Sequence, residues 1–361
     1  MGLILGLESS CDETAAAVVR DGVEVLSSAV ASQIAVHAPL GGVVPELAAR
    51  EHLKALAPVT RQALADAKLD MADIDAVAVT QGPGLIPALL VGLSFAKGLA
   101  ANYRLPLIGV NHFLAHIYGA FLDGRSELLA KPETYPLLAL VVSGGHTALV
   151  LLDRDGTARQ LGCTIDDAAG EALDKGSKLL GLGYPGGPAI SRAAASGDPA
   201  AYRFPRPLTG GAGKPVPPEH RYDFSFSGIK TALLYHVEQL TNHRTRALSA
   251  TELADTAASF QAAVVDTLVR KTKLAVRDFR VATVVLCGGV ACNALLRSEL
   301  SAALSGRAAT VIAKPCYCTD NAAMVGGIGW HSFVHGEFLT PEADSYARLP
   351  MLSRVPFIGA K

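Results

Sequence analysis

The sequence predicts an α/β protein made of two related lobes, each opening on a run of three strands. Three observations carry that expectation. Strand-like apolar runs alternate with helix-like runs along the chain, the pattern of parallel strands joined by helices. The segment "LILGLESSCDETAAAVVRDGVEVLSSAV" is echoed without gaps by "LLALVVSGGHTALVLLDRDGTARQLGCT": Ser9 and Ser143 lie 134 positions apart, as do Arg20 and Arg154. And 361 residues, half of them hydrophobic, suffice for two domains of ordinary size.

In chain order, "MGLILGLESSCDET" reads as a first strand and a small-residue turn. It lacks the leading positive charge and cleavage site of a signal peptide. A strand, an R-D-G turn and a third strand follow. "DAVAVTQGPG" is a strand running into a glycine turn, and an apolar helix starts at Ile86. That helix, "PALLVGLSFAKGLAANY", is interrupted by Lys97 and glycines and suits a core better than a membrane. "LPLIGV" is a short buried strand, and "NHFLAHIYGAFL" a helix capped by Asn111. The second three-strand run begins at Leu137. "VATVVLCGGVACNALLRSEL" repeats the strand, glycine turn and helix. Residues 204–224, rich in Pro, Gly and charge, form a long surface loop. "CYCTDNAAMVGGIGW" opens a late helix with Asp320 at or near its N-cap. The expected division is 1–110 plus about 320–361 for the first lobe and 111–319 for the second.

A net charge of −1 and 18% charged residues announce neither a nucleic-acid-coating nor a membrane-surface protein. An RNA partner would have to meet a local basic face. Two candidates are "RKTKLAVRDFR" at 270–280 and the loop near Arg203, Arg206 and Lys214. Such stretches are more often plain solvated surface. Six cysteines without paired C-x-x-C motifs fit a reduced, cytoplasmic protein.

His112 and His116 stand four apart on one helical face, a spacing at which two imidazoles share a metal or pack as buried histidines. Phe113 occupies the position where a H-E-x-x-H protease carries its base. Asp320 is a candidate third ligand; two His and one carboxylate with open positions suit Fe(II) or Zn(II). The turns "SGGHT", "GYPGGPAIS" and "CGGVACN" together describe a cradle for phosphate or nucleotide in the second lobe. There is no G-x-x-x-x-G-K-[ST], so this is not a P-loop, and no G-x-G-x-x-G follows the first strand, which argues against a Rossmann-type dinucleotide fold. Asp174 reads either as a solvated partner of Lys178 or as a ribose contact. Asp12 and Glu13 occupy the positions corresponding to His146 and Thr147, as a locally capped acidic turn or as acids facing a ligand.

The motifs "ESSCDET", "HAPLGGVVPELAAREH", "GPGLIPALLVG", "NHFLAH", "VVSGGHT", "DDAAGEALDKGSKLLGLGYPGGP", "DFSFSGIKT", "CGGVACN" and "CTDNAAM", in this order from Leu3 to about Gly329, resemble the TsaD family. The resemblance implies the two-lobed fold of actin, sugar kinases and the Hsp70 ATPase. It implies transfer of threonylcarbamoyl from threonylcarbamoyl-AMP to N6 of the adenosine 3′ of the anticodon, in tRNAs reading codons that begin with A. It implies metal ligation by His112, His116 and Asp320, and substrate binding at Val141, Val142, Ser143, Gly144, Gly145, Asp174, Gly187, Ser191 and Asn293. Some relatives carry Asp at the position of Ser191. Asp12 and Glu13 match acids near the reacting centre. The implied partners are tRNA, TsaB, TsaE and the synthase of the intermediate; ATP, ADP or AMP are further occupants of the cradle. The helix after Asn111 is a candidate homodimer contact. The alternatives are a metal-dependent endopeptidase, an ATPase or kinase of the same fold, and a non-catalytic scaffold.

Overall fold

The computed structural model describes residues 1–210, 215–243, 245–349 and 354–358. The chain divides into two compact units: Met1–Thr134 with Leu152–Arg159 and Ala313–Lys361, and Tyr135–Leu151 with Gln160–Ile312.

The first unit opens on β1 (Leu3–Glu8), β2 (Glu13–Arg20) and β3 (Glu24–Ser32). β1 is antiparallel to β2 and parallel to β4 (Ala76–Gly82), which is parallel to β5 (Leu107–Asn111); the order is β3-β2-β1-β4-β5. A short helix α1 (Ile34–His37) precedes α2 (Pro45–Ala67) and α3 (Ile86–Tyr103). Leu5, Leu7, Ala16, Val18, Val77 and Val79 form the core with Val59, Ala63, Leu93 and Ala96 of α2 and α3. The next residues along the strands face the other way, as the two-residue period requires. Helices cover both sides, so β1 and β2 read as continuous apolar runs instead of alternating ones. α3 is long and apolar enough to cross a membrane, but it packs on β4 and α2 with Leu89, Gly92, Leu93 and Ala96 buried. α4 (His112–Gly119) starts where β5 ends, and the Asn111 side chain accepts from the Leu114 N–H as its N-cap.

The second unit repeats the plan. β6 (Leu137–Val142), β7 (Thr147–Leu152) and β8 (Ala158–Cys163) begin 134 residues after β1, β2 and β3. With β9 (Thr283–Cys287) and β10 (Ala309–Ile312) the order is β10-β9-β6-β7-β8, the first sheet's order strand for strand. β9 lies parallel to both β6 and β10. The helices are α5 (Ala169–Leu179), α6 (Gly186–Ala194), α7 (Ser227–Leu240), α8 (Ala250–Phe279) and α9 (Ala294–Leu304). α8 starts at a capping box of Ser249 and Glu252 and packs against α6, α7 and α9.

The chain then returns to the first unit through α10 (Pro315–Cys318) and α11 (Ala322–His335). α11 lies directly on β1: a Cβ on Gly6 would strike the Ala322 carbonyl and the Gly326 backbone. That close approach sets the start of α11 beside the end of β1.

Two expectations change here. The lobe boundary falls after Thr134 and not at 110, because α4 packs on α11 and its helical neighbours are those of the first sheet. Nor can α4 serve as a dimer contact: residues 111–122 are buried except for half-buried Phe113.

Candidate functional site

In the first unit, α4 and the segment before α11 bring His112, His116 and Asp320 together, with one donor atom from each lying within 4.8 Å of the others. Asp320 precedes the helix cap, which is Asn321, whose side chain accepts from the Met324 N–H. Asp320 is thereby left outside the cap hydrogen bond. Its Oδ1 lies 3.1 Å from His116 Nε2 and 3.5 Å from His112 Nε2. The two rings stand nearly perpendicular, at 82°.

Behind His112 sits Glu8, the last residue of β1 and fully buried. Its Oε2 accepts from Thr80 at 2.6 Å and lies 3.2 Å from His112 Nδ1, while its Oε1 accepts the Ser10 N–H at 2.5 Å. Burial alone would push the Glu8 carboxyl up; the facing His112 imidazole and the Thr80 hydroxyl hold it below the usual carboxylate range. Burial would likewise lower His112, but Asp320 and Glu8 raise it to about 9. A carboxylate fixing one imidazole nitrogen while the other faces an acidic ligand is the outer-shell arrangement of metal-binding histidines. Glu8 was not singled out from the sequence; an acid ending an otherwise apolar buried strand was the available signal. His116 is 2% exposed, and its Nδ1 has no hydrogen-bond partner among the described residues. An unsatisfied buried nitrogen is costly in a histidine that only packs. The donor set of two imidazoles and one carboxylate fits a divalent cation such as Zn(II) or Fe(II).

The acids of the β1–β2 turn lie in the same unit. Burial and the negative charge of Asp320 raise the Asp12 carboxyl. Glu13 opens β2, accepts from Ser32 at 2.8 Å through Oε1, and leaves Oε2 buried without a partner among the described residues. Burial pushes its carboxyl up to about 7.

In the second unit two of the glycine turns follow the parallel strands β6 and β9, at the end of an open sheet where ligands commonly bind, and the third opens α6. Val141 and Val142 are buried strand residues and present only backbone. The turn after β6 is closed by Ser143, whose Oγ accepts the His146 N–H. Gly144 and Gly145 are exposed, and a Cβ on either would meet open space. Gly288 follows β9 with φ +91, and a Cβ there would strike the Val142 carbonyl, so only glycine fits. Asp174 departs from its expected pairing with Lys178: its Oδ1 accepts the Gly186 N–H at 2.6 Å, tying α5 to the turn that carries Gly187. The neighbouring Glu171–Lys175 pair does form, at 2.7 Å. Asn293 caps α9 by accepting from Leu296 N–H, and donates to Ser191 Oγ at 3.2 Å and Gln261 Oε1 at 2.9 Å. Ser191 donates to the same Gln261 oxygen at 2.6 Å. Gln261, in the middle of α8, was missed because an amide inside an amphipathic helix carries no motif.

Among the RNA candidates, Arg206 is paired with Asp266, and Lys271 is buried with its ammonium on the His220 and Arg221 carbonyls. Lys214 lies outside the described residues.

Residues 24–327 match the profile of a family described as TsaD, tRNA N6-adenosine threonylcarbamoyltransferase. A protein of that name from Geobacter sp. (strain M21) is 51% identical over 325 residues, covering 90% of this chain and 89% of its own. Another from Thermomicrobium roseum is 46% identical and covers 98% of both chains. Among solved structures, (R)-2-hydroxyglutaryl-CoA dehydratase component A of Acidaminococcus fermentans superposes with TM-score 0.54 at 14% identity, covering 92% of this chain and all of that one. HypF of T. kodakarensis does so with TM-score 0.56 at 16% identity, over 93% of this chain and 48% of its own. These likenesses show the fold, a duplicated α/β fold of the actin, sugar kinase and Hsp70 ATPase type. With its fold, ordered motifs and near-full-length relatives in agreement, this chain belongs to the tRNA N6-adenosine threonylcarbamoyltransferase family, TsaD.

Proposed function

We propose that this tRNA-acting transferase takes threonylcarbamoyl-AMP as donor and modifies N6 of the adenosine 3′ of the anticodon, in tRNAs reading codons that begin with A. The N6 nitrogen attacks the carbamoyl carbon of the mixed anhydride, a C–N bond forms, and the bond to the phosphate oxygen breaks. AMP leaves with the electron pair, and the N6 proton passes to a carboxylate. The observation that carries the reading is the family match over residues 24–327.

The side chains fit these roles. The backbone N–H groups of Gly144 and Gly145 suit the AMP phosphate, where fixed donors would stabilise the departing charge. Asp174, Gly187, Ser191 and Asn293 are the proposed contacts for ribose and base; Gln261 supports the reading by bonding both Ser191 and Asn293. His112, His116 and Asp320 would hold one divalent cation, Fe(II) or Zn(II), which when bound supplies Lewis-acid polarisation of a donor oxygen. Glu8 keeps the His112 ring in one orientation. Asp12 and Glu13 are the candidate bases; Glu13 Oε2, without a partner among the described residues, makes it at least the equal of Asp12. An aromatic exocyclic amine is a weak nucleophile, so orientation against an activated donor supplies much of the acceleration. The Phe113 side chain standing where a protease carries its base is no defect for this chemistry.

TsaB, TsaE and the synthase of the donor are the proposed partners, and the cytoplasm the proposed location. Self-association, if part of the assembly, uses a surface other than α4. The test incubates the protein with TsaB, TsaE, threonylcarbamoyl-AMP and unmodified tRNA, then digests the RNA and weighs its nucleosides. The expected result is threonylcarbamoyladenosine. No product from the intact protein refutes the reading; chelator-sensitive proteolysis in its place would establish the endopeptidase.

A further inference from the structure

The end of α8 carries a feature that the transfer chemistry does not use. Lys273, Arg277, Arg280 and Arg307 line a cavity of about 460 Å³ whose remaining walls are Val276, Val281 and Leu304. No carboxylate lines it. The sequence had marked five basic residues at 270–280; the structure removes Arg270, paired with Asp266, and buried Lys271, and adds Arg307 from the turn after α9.

The bland explanation is that cations neutralise helix C-termini. Two helices, α8 and α9, do end here, at Phe279 and Leu304. Each C-terminus carries roughly half a negative charge. Asp278, bonded to Arg277 at 2.9 Å, offsets one further cation. Against four cations this leaves a surplus of about two positive charges, more than helix ends require. Asp278 is also shared, since Arg221 and Tyr222 both donate to its other oxygen. Arg280 moreover holds the left-handed C-cap position with φ +50, where glycine would be the unstrained choice. A chain of net charge −1 thus concentrates cations in one concave place.

We infer that this cavity binds backbone phosphates of the tRNA substrate, at a position remote from the nucleotide cradle. Gln261, which holds the cradle residues, and Arg277 lie sixteen residues apart on α8, about 24 Å along the helix. One donor molecule cannot span that distance, whereas an RNA helix can. Planar guanidinium groups match phosphate oxygens bidentately, and the apolar walls hold the arginine stems in place. The contacts position the RNA and read no sequence. The inference rests on tRNA being the substrate.

The test measures binding of unmodified tRNA to the full-length protein, with the partner proteins that support transfer, across a salt series. Arg280→Gly removes a cation without a backbone penalty, and Arg307→Ala removes the one from the other element. Each should lower the slope of log affinity against log salt by about 1 and the pair by about 2, with roughly tenfold weaker binding for the pair. AMP binding at the cradle should stay unchanged. An unchanged slope in the double variant, with product still formed by the wild type, overturns this inference and leaves the transferase reading standing. Absence of product from the wild type overturns both. Loss of inorganic pyrophosphate binding, or of an acidic protein's binding, with the tRNA slope intact assigns the cavity to that ligand and overturns the RNA site.

Discussion

Glu8→Gln isolates the outer support of the candidate metal centre. Three donors converge on the Glu8 carboxylate: Ser10 N–H, Thr80 Oγ and His112 Nδ1. A glutamine has nearly the same shape but offers one acceptor oxygen, and its NH2 group must face at least one of these donors. Leaving a buried donor unsatisfied costs about 1–3 kcal/mol, so the metal-free variant should lose stability by that amount. The His112 ring also loses its carboxylate partner. Removing such outer-shell partners typically weakens metal binding 10- to 100-fold, about 1.4–2.8 kcal/mol. Competition between the protein and a chromogenic chelator, with Zn(II) and anaerobically with Fe(II), measures this directly. Denaturant unfolding of the metal-free protein measures the stability part separately. Metal affinity within twofold of wild type, in a variant that unfolds cooperatively, would refute the argument that Glu8 orients a ligand.

Saturation with the cognate cation at 100 times its dissociation constant should stabilise the wild type by about 2.7 kcal/mol. A chelator should reverse that, and His116→Ala should not respond to the cation. Gly288→Ala should destabilise the second unit by about 1–3 kcal/mol in denaturant titrations, because φ is +91 and the Val142 carbonyl occupies the space for a Cβ. Gln261→Leu removes the acceptor shared by one Asn293 amide N–H and the Ser191 hydroxyl. It should weaken binding of AMP roughly tenfold by calorimetry, while tRNA affinity holds. Burial pushes Lys271 down to about 8, below its unfolded value, so the native state releases this proton first. Relative to Lys271→Met, wild-type stability should therefore rise with pH from about 8 until the unfolded chain's lysine has also deprotonated, near 10.4. A flat difference across that window would show the ammonium to be fully compensated by the His220 and Arg221 carbonyls.

The architecture is legible along the chain. Strand order and even strand starts repeat at 134 residues because a duplicated chain with the same apolar pattern must bury it in the same way. The chain pattern also shows which residue types are available at the candidate site: the His112–His116 pair follows from a four-residue helical step, and two of the glycine turns from the Gly-Gly pairs that follow β6 and β9. Relations between residues far apart in the chain come from the packing alone. Asp320 reaches His116 across 204 positions because Gly6 lets α11 settle on β1. Glu8 becomes the support of His112 because β1 and β5 flank the same strand, β4, and end on the same side. The Asp174 carboxylate leaves its helical neighbour for Gly186 N–H because α5 packs on the start of α6. Arg307 joins the α8 cations because two helices end at one place. Periodicity is a local property and is written along the chain. A buried charge takes its partner from whatever the packing sets beside it, and that is known only once the helices are in place.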